Sequence, residues 1–360
     1  MTILPTSADR PSPAIRSRSL RIGFVALTDA APFVVAQELG LFKKFGLDVS
    51  LSREVGWATI REKIIYGEID AAHALAPMLW ATQLGIDSVP CPVTAGLVLS
   101  QHGNGITLSH RLWDAGVRDS QSLAHEARRR VGERRLTLGI VFRQSSHHLF
   151  LRAWLRSGGL DPDRDVRLVV VPPAQMFRNL SAGTIEGYCA GEPWNSLAIQ
   201  AQLGWCPAWG AAQSDSAVEK VLMVTERFAR DRAGEHQALI AALLEACAWC
   251  DERENRTELA EMLSRPEYLN QPTPVLLPSL LGRFDSGHGE IHSSLDFHVF
   301  HRGRVNVPTL AKAQALQREL LQENLVGATQ ISPGLPGKLF REDIYATALK
   351  MTSKTELAAS

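Results

Sequence analysis

The sequence predicts an α/β protein of two similar lobes, each a sheet flanked by helices, with a ligand cleft between them. Residues 67–78 and 183–195 share one skeleton, in which Gly, any residue, Ile and an acid precede a short apolar run and Pro. Each skeleton is typical of a helix end, a tight turn and a short buried strand. Residues 21–25 and 136–141 begin the two copies with matching strand-like runs. This repeat favours two lobes over one sheet.

The repeat also places the lobes along the chain. We predict that residues 19–105 and 224–360 form lobe 1, that residues 106–223 form lobe 2, and that residues 1–18 are a disordered tail. The chain is expected to cross between the lobes near Asn104 and again after Lys220, and two such crossovers make a two-strand hinge. The predicted helices outside lobe 2 are residues 32–42, 59–66, 76–84, 235–250, 256–263 and 309–323.

Composition and charge narrow the class of partner. The chain has 38 basic and 38 acidic residues, and this balance argues against nucleic acid or an anionic membrane surface as the main partner. No stretch reaches the roughly 18 apolar residues of a membrane-spanning helix. Residues 1–18 are polar and lack the apolar run of a secretory signal. We therefore expect a cytoplasmic protein without membrane insertion.

Three further patterns have a structural and a functional interpretation. The arginine-rich residues 125–135 are predicted to form a helix with a solvated face, the alternative being a docking patch. Cys247 and Cys250 form a C-x-x-C pattern within a predicted helix, which favours helix packing over redox chemistry. Four histidines between the later helices are interpreted as surface and loop residues, and not as metal ligands; they are His288, His292, His298 and His301.

Hydrogen-bond donors follow several of the predicted strands at the edge that faces the cleft. These residues are Trp57, Asn104, His147 and Lys220. Donors without matching acceptors predict an anionic ligand. The sequence contains no Gly-x-Ser-x-Gly, His-Glu-x-x-His or phosphate-cradling Gly-rich loop, so we expect no enzyme activity, no cofactor and no metal.

The chain resembles the nitrate- and bicarbonate-binding proteins of bacterial ABC importers and their cytoplasmic relative, the nitrate/nitrite sensor of the Nas assimilation system. The resemblance covers nearly the whole chain and implies a type II periplasmic-binding-protein-like fold. Its most specific pieces are Gly56-Trp57-Ala58-Thr59 with Arg61, Ile69-Asp70-Ala71-Ala72-His73 with Pro77-Met78, Val171-Pro172-Pro173 with Gln175-Met176, Gly191-Glu192-Pro193-Trp194-Asn195, and Trp249-Cys250-Asp251.

The resemblance also implies which residues hold the ligand. The family's nitrate site maps onto Trp57, Asn104, His147, Gly191 and Lys220. The nitrate importers usually carry Gln at the position of Asn104. In the bicarbonate-binding members of the family, the position of this lysine looks acidic and supports a calcium ion. The resemblance therefore implies that Lys220 points to nitrate or nitrite.

Glu192 lies in the same turn, where an unpaired carboxylate would repel an anion. We interpret it as a residue behind the site that holds a donor in place, either Lys220 or a backbone N–H. The alternative is an ordinary turn carboxylate.

Three functions follow from these observations. We expect a nitrate/nitrite sensor that binds an RNA-binding antiterminator response regulator in a ligand-dependent manner. The alternative is the substrate-binding component of a nitrate ABC importer, with a permease and an ATPase as partners. An enzyme on this scaffold, such as a thiamine-precursor synthase, would need a reactive cluster in the cleft, and the sequence shows none.

Overall fold

Two large β-sheets, one in each lobe, confirm the predicted two-lobed α/β fold; β11 and β12 form a separate hairpin. The computed structural model describes residues 19–130, 134–210 and 218–359, so the predicted tail lies outside the described residues. The strands are β1 (Leu20–Val25), β2 (Val49–Glu54), β3 (Ala71–Leu75), β4 (Val93–His102), β5 (Asn104–Ser109), β6 (Thr137–Ile140), β7 (Arg167–Val170), β8 (Gly187–Gly191), β9 (Gly204–Trp209), β10 (Val218–Thr225), β11 (Arg283–Gly287), β12 (Glu290–Ser293) and β13 (His298–Val299).

Helices cover both sheets and make up most of the chain after β10. They are α1 (Ala31–Glu38), α2 (Leu41–Lys44), α3 (Trp57–Ile65), α4 (Met78–Leu84), α5 (His110–Asp114), α6 (Ser120–Arg129), α7 (Ser146–Ser157), α8 (Pro173–Ser181), α9 (Trp194–Gln200), α10 (Glu226–Asp231), α11 (Ala233–Asp251), α12 (Arg256–Ser264), α13 (Thr273–Leu280), α14 (Leu310–Gln322), α15 (Leu335–Leu339) and α16 (Glu342–Ala359). Among the residues described, no helix is both long and apolar enough to cross a bilayer.

The two sheets are built on the same plan. The first has the order β13-β4-β10-β3-β1-β2, and the second has the order β7-β6-β8-β5-β9. In each, three strands are parallel and the next is antiparallel to them: β10 beside β3, and β5 beside β8. The carboxyl ends of the parallel strands therefore meet at one edge of each sheet, where open α/β sheets bind ligands.

The repeated skeleton forms the turns that the sequence predicts. Gly67 and Gly183 follow α3 and α8 with φ of +70° and +68°, a conformation that glycine adopts without steric cost. The apolar runs become β3 and β8, and every residue of both strands is buried. Pro77 and Pro193 then precede α4 and α9.

The lobe boundaries differ from the predicted ones at the second crossover. The chain leaves the first sheet at Gly103, between β4 and β5, close to the expected position. It has returned by Val218, because β10 pairs with both β3 and β4 over its length. The predicted end of lobe 2 at residue 223 is therefore wrong: residues 218–223 belong to the first sheet. The apolar pattern of the sequence placed the start of this strand too late, because Glu219 and Lys220 are buried in it although both are charged.

The interpretations of the basic run and of the histidines also change. The predicted helix over residues 125–135 ends at Arg129; residues 131–133 lie outside the described part of the chain, and Arg134 and Arg135 precede β6. His298, expected at the surface, is buried, because its strand pairs with β4 and its ring packs against the crossover glycine. Cys247 and Cys250 are buried free thiols in α11, in agreement with helix packing.

Elements that follow the second crossover reach back to lobe 2. The β11–β12 hairpin contacts β9 and α9, and His288 at its turn stacks on Trp113 with ring centroids 3.4 Å apart. After α14, Glu323 pairs with Arg152 of α7 at 2.5 Å. The two lobes are thus bridged on both sides of the cleft.

A buried ion pair at the end of α11 anchors β13 beside the crossover. Asp251 Oδ1 contacts Arg256 at 2.9 Å, and both side chains are buried. Asp251 Oδ2 accepts hydrogen bonds from the backbone N–H groups of His301 and Arg302, at 3.1 and 2.7 Å. Since β13 ends just before this turn, Asp251 fixes the strand that covers Gly103.

We predict that Asp251→Ala lowers the free energy of unfolding by about 3–5 kcal/mol, because it leaves the Arg256 guanidinium buried without its carboxylate. Asp296→Ala is the matched control, since Asp296 is exposed and pairs with Arg302 at the surface; its cost should stay below about 1 kcal/mol. Urea unfolding of both variants measures the difference. Equal small losses would show that the Asp251 pair does not hold this part of the fold.

Candidate functional site

The five residues predicted to hold the ligand come together between the lobes. Lobe 1 supplies Trp57, the first residue of α3, and Lys220, in the middle of the first sheet. Lobe 2 supplies Asn104 at the start of β5, His147 in the first turn of α7, and Gly191 at the end of β8. All five are buried. Lys220 has no exposed surface, although a lysine beside a glutamate is more often found at the surface.

Short distances connect these residues around one point. A Cβ atom placed on Gly191 would stand 3.4 Å from Asn104 Oδ1 and 3.7 Å from His147 Nε2. Lys220 Nζ lies 5.6 Å from the centroid of the Trp57 ring. The absence of a side chain at Gly191 keeps this point open to a small group.

A buried carboxylate, which the sequence analysis missed, is the direct partner of Lys220. Asp29 Oδ2 lies 2.6 Å from Lys220 Nζ, and Asp29 Oδ1 lies 3.1 Å from His73 Nε2. Both partners of Asp29 are completely buried, and His73 also packs against the Trp57 ring at 5.3 Å between centroids. The expectation of donors without acceptors is therefore wrong in this respect: the cation of the site is already paired.

The signal for Asp29 was present in the sequence. Asp29 stands between the end of β1 and Pro32, which lies near the start of α1, so it occupies the carboxyl edge of a parallel strand. His73 had no comparable signal. It lies inside the apolar run of β3, where a histidine is equally typical of an ordinary hydrogen-bonded core residue.

Glu219 links the second crossover to lobe 2. Its Oε2 accepts a short hydrogen bond from the hydroxyl of Ser146, the first residue of α7, and lies 3.9 Å from Lys220 Nζ. His147 follows Ser146, so this contact fixes the turn that presents His147 to the cleft. Glu219 was not among the predicted site residues, since an acid beside a lysine usually indicates an exposed pair.

Glu192 holds a backbone donor and makes no described contact with Lys220. Its Oε2 accepts a hydrogen bond from Ser196 N at 3.3 Å, in the first turn of α9. Its backbone joins the lobes, because Glu192 O accepts from Thr28 N at 2.8 Å and Glu192 N donates to Gly103 O at 3.0 Å. Of the two donors considered for Glu192, the structure favours the backbone N–H.

Burial and the Asp29–Lys220 pair set the charges of the site. Burial opposes ionisation of Asp29, but Lys220 and His73 together hold the pKa of this carboxyl below its usual value. Burial lowers the pKa of His73, and burial with the nearby Lys220 ammonium lowers that of His147 well below its usual value. Both imidazoles are therefore neutral at pH 7. Lys220 and Asp29 supply one charge of each sign.

Two further carboxyls titrate near neutral pH. Burial raises the pKa of Glu219 to about 7, although Lys220 and the Ser146 hydroxyl oppose the rise. Burial likewise raises the pKa of Glu192 to about 7, against the hydrogen bond from Ser196. Each can therefore be neutral when the site holds an anion.

Several buried donors of the site have no acceptor in the described protein. They include Trp57 Nε1 and the one protonated nitrogen of the neutral His147 ring. An indole N–H can only donate, and a buried donor without a partner costs free energy. A small ligand rich in acceptor atoms would satisfy these groups.

The raised pKa of Glu192 predicts a stability that falls with pH. In the unfolded chain this carboxyl loses its proton near its usual pKa of 4.5, whereas in the folded protein it keeps the proton until about pH 7. As the pH rises from 4.5 to about 7, the free energy of unfolding therefore falls by about 1.4 kcal/mol per pH unit. Glu192→Gln keeps the shape and the acceptor for Ser196 N but cannot ionise. We expect the free energy of unfolding of the variant, relative to that of the wild type, to be roughly 2–3 kcal/mol higher at pH 8 than at pH 4.5.

Urea unfolding of both proteins at the two pH values measures this gain. Glu68→Gln is the matched control, because Glu68 is exposed and should show no such trend. A Glu192→Gln stability that stays parallel to that of the wild type at both pH values would contradict a buried, protonated Glu192.

Comparison with known proteins identifies the family to which the chain belongs. Residues 14–264 match the model of the NMT1-like family. The chain is 36% identical to the nitrate import ATP-binding protein NrtC of Synechocystis sp. over 92% of its own length and 50% of the relative's. It is 43% identical to the bicarbonate transport ATP-binding protein CmpC of Synechococcus elongatus over 71% of its own length and 38% of the relative's. The chain thus spans half or less of these two relatives.

Two matches to binding proteins cover more of the relative. The chain is 29% identical to the nitrate/nitrite binding protein NrtA of Synechococcus elongatus, over 94% of the chain and 79% of that protein. Its structure superposes on the crystal structure of the periplasmic nitrate-binding protein NrtA from Synechocystis with a TM-score of 0.88 and 27% identity, covering 92% of this chain and 88% of that one. The chain therefore has the two-lobed periplasmic-binding-protein fold and belongs to the NMT1-like family, with nitrate/nitrite-binding proteins of ABC transporters among its homologues.

Proposed function

We propose that this chain binds nitrate or nitrite between its lobes and serves as the ligand-binding component of a nitrate ABC importer. The observation that carries the proposal is the group of buried donors around Lys220, which includes Trp57 Nε1 and His147 and has no acceptor among the described residues. Nitrate and nitrite have acceptor oxygens and one negative charge but no proton to donate, so they fit such a group.

The two carboxylates nearest Lys220 already have partners, so a ligand without a proton, such as nitrate, suits them better than bicarbonate. Asp29 uses one oxygen for His73 and the other for Lys220, and Glu219 uses Oε2 for Ser146. Bicarbonate carries a proton and needs a free acceptor. Nitrate does not, and it also bridges donors from both lobes, which favours the closed arrangement.

The similarity to NrtA over most of both chains supports the binding role. The similarity to NrtC and CmpC supports a transporter as the partner, with a permease and an ATPase. Residues 1–360 contain no phosphate-cradling Gly-rich loop, so we assign this chain the ligand-binding role and not ATP hydrolysis. These relationships support the import role better than the sensor role. Control of an antiterminator response regulator and the cytoplasmic location stay predictions.

Lys220→Glu should abolish nitrate binding, lowering the affinity at least about 100-fold. The change replaces the ammonium with an acid beside Asp29 and leaves two buried carboxylates facing the anion. Calorimetry with nitrate, nitrite and bicarbonate, the last with and without calcium, measures the effect. Lys220→Met is a second variant that removes the charge without adding an acid, and it should also lose binding.

Lys43→Glu is the matched control, because Lys43 is exposed on α2 and makes the same change of charge at the surface. Circular dichroism confirms that each variant is folded. Calcium-dependent bicarbonate binding without nitrate or nitrite binding would overturn the ligand assignment. Nitrate binding that survives in both Lys220 variants would overturn the site.

A further inference from the structure

A second cleft, of about 820 Å³, opens on lobe 2 and is lined by none of the residues of the candidate ligand site. Its wall is rich in arginine. The five arginines that line it are Arg134, Arg135, Arg143, Arg152 and Arg167. The carboxylates that line it are Asp163 and Glu323, so the arginines outnumber the acids by three. The whole chain, by contrast, has no net charge.

Both carboxylates of the wall form ion pairs with one of its arginines, Arg152. Arg152 donates from Nη1 and Nη2 to the two oxygens of Asp163, at 2.7 and 2.5 Å, and from Nε to Glu323 at 2.5 Å. The side chain of Arg152 is almost completely buried, so this arrangement is a fixed part of the floor. Neither of these carboxylates pairs with the other four guanidinium groups, of which Arg134 lies 3.9 Å from Glu186 Oε1.

Two of those four groups are free to bind a ligand. Arg134 donates to Thr184 O at 2.7 Å, and Arg135 donates to Arg164 O at 2.9 Å. The side chains of Arg143 and Arg167 are exposed and make no hydrogen bond or ion pair with any residue in the described ranges. Each presents a planar fork of N–H donors, the geometry that binds phosphate and carboxylate groups in bidentate fashion.

The surrounding structure holds this wall in place. His148 donates from Nδ1 to Arg143 O at 2.6 Å, which fastens the loop that carries Arg143 to α7. Gln144 Nε2 donates to Leu325 O at 3.0 Å, and Leu325 lines the cleft from the lobe 1 side. Arg167 lies on β7, the edge strand of the second sheet. Residues from both lobes thus form one built cleft.

The size and the lining of the cleft define the class of ligand. Its volume falls in the range of small-molecule sites. No Phe, Tyr or Trp lines it, so it offers no stacking surface for a nucleobase. We propose that this cleft is a second binding site, and that it takes a small polyanion with at least two phosphate or carboxylate groups, held by Arg143 and Arg167.

The arginine-rich residues 125–135 are thereby divided between two places. Arg134 and Arg135 lie in the wall of the cleft, while Arg129 and Arg130 pair with Glu126 on α6.

The test is calorimetry on the full chain with inorganic pyrophosphate and with citrate, at about 0.15 M salt so that weak surface attraction is screened. We expect at least one of the two probes to bind with a Kd below about 1 mM, equivalent to about 4 kcal/mol. The double variant R143Q/R167Q should weaken that binding at least tenfold. The matched control R227Q/R253Q removes the same charge from two exposed arginines outside the cleft and should bind as the wild type does.

The proposal does not depend on nitrate binding, because the variants change no residue of the first site. Thermal unfolding shows that both double variants are folded. Binding of pyrophosphate, citrate or both that is lost in R143Q/R167Q alone supports the proposal and shows which anionic group the cleft prefers. No binding of either probe, or an equal loss in both double variants, overturns it.

Discussion

The ion pair between Lys220 and Asp29 is the interaction on which the cleft depends. An ammonium group buried without a partner costs several kcal/mol, and Lys220 has no exposed surface. Asp29, 2.6 Å away, makes this burial possible, and His73 in turn holds the second oxygen of Asp29. The pair joins the loop after β1 to the central strand β10. A cation that is buried, fixed and close to unpaired donors suits the capture of a small anion.

This arrangement needs both lobes. Lobe 1 supplies the charges, and lobe 2 supplies Asn104, His147 and Gly191 at the carboxyl edge of its own sheet. Direct hydrogen bonds join the two edges, from Thr28 N to Glu192 O at 2.8 Å and from Trp194 Nε1 to Ala26 O at 3.1 Å. The structure is therefore a closed state. An anion that contacts both lobes would favour it, whereas separation of the lobes would expose Lys220 to water.

The sequence predicted the repeat and the position of several cleft residues because those features have local signals. The skeletons at residues 67–78 and 183–195 contain a positive-φ glycine, a buried strand and a proline, and each is visible without tertiary information. Trp57 and His147 lie in the first turns of helices that follow strands, so the edge they occupy was predictable.

The remaining features depend on tertiary contacts that no local pattern reports. Asp29 and Glu219 are ordinary acids in the sequence, and only the fold brings Asp29 to Lys220 and Ser146 to Glu219. The start of β10 was misplaced because buried charges break the apolar pattern of a central strand. The basic run was predicted as one helix, but its later arginines leave the helix and line a separate cleft with arginines distant in sequence.

Nitrate affinity of Asp29→Asn, measured by calorimetry beside the wild type, tests the central claim most directly. If Asp29 neutralises the cation that captures the anion, the variant should be less stable without ligand and should bind nitrate about tenfold or more tightly, which corresponds to about 1.4 kcal/mol. Thermal unfolding with and without nitrate should show a larger stabilisation by nitrate than in the wild type. A folded Asp29→Asn protein whose nitrate affinity is unchanged or lower would contradict the account.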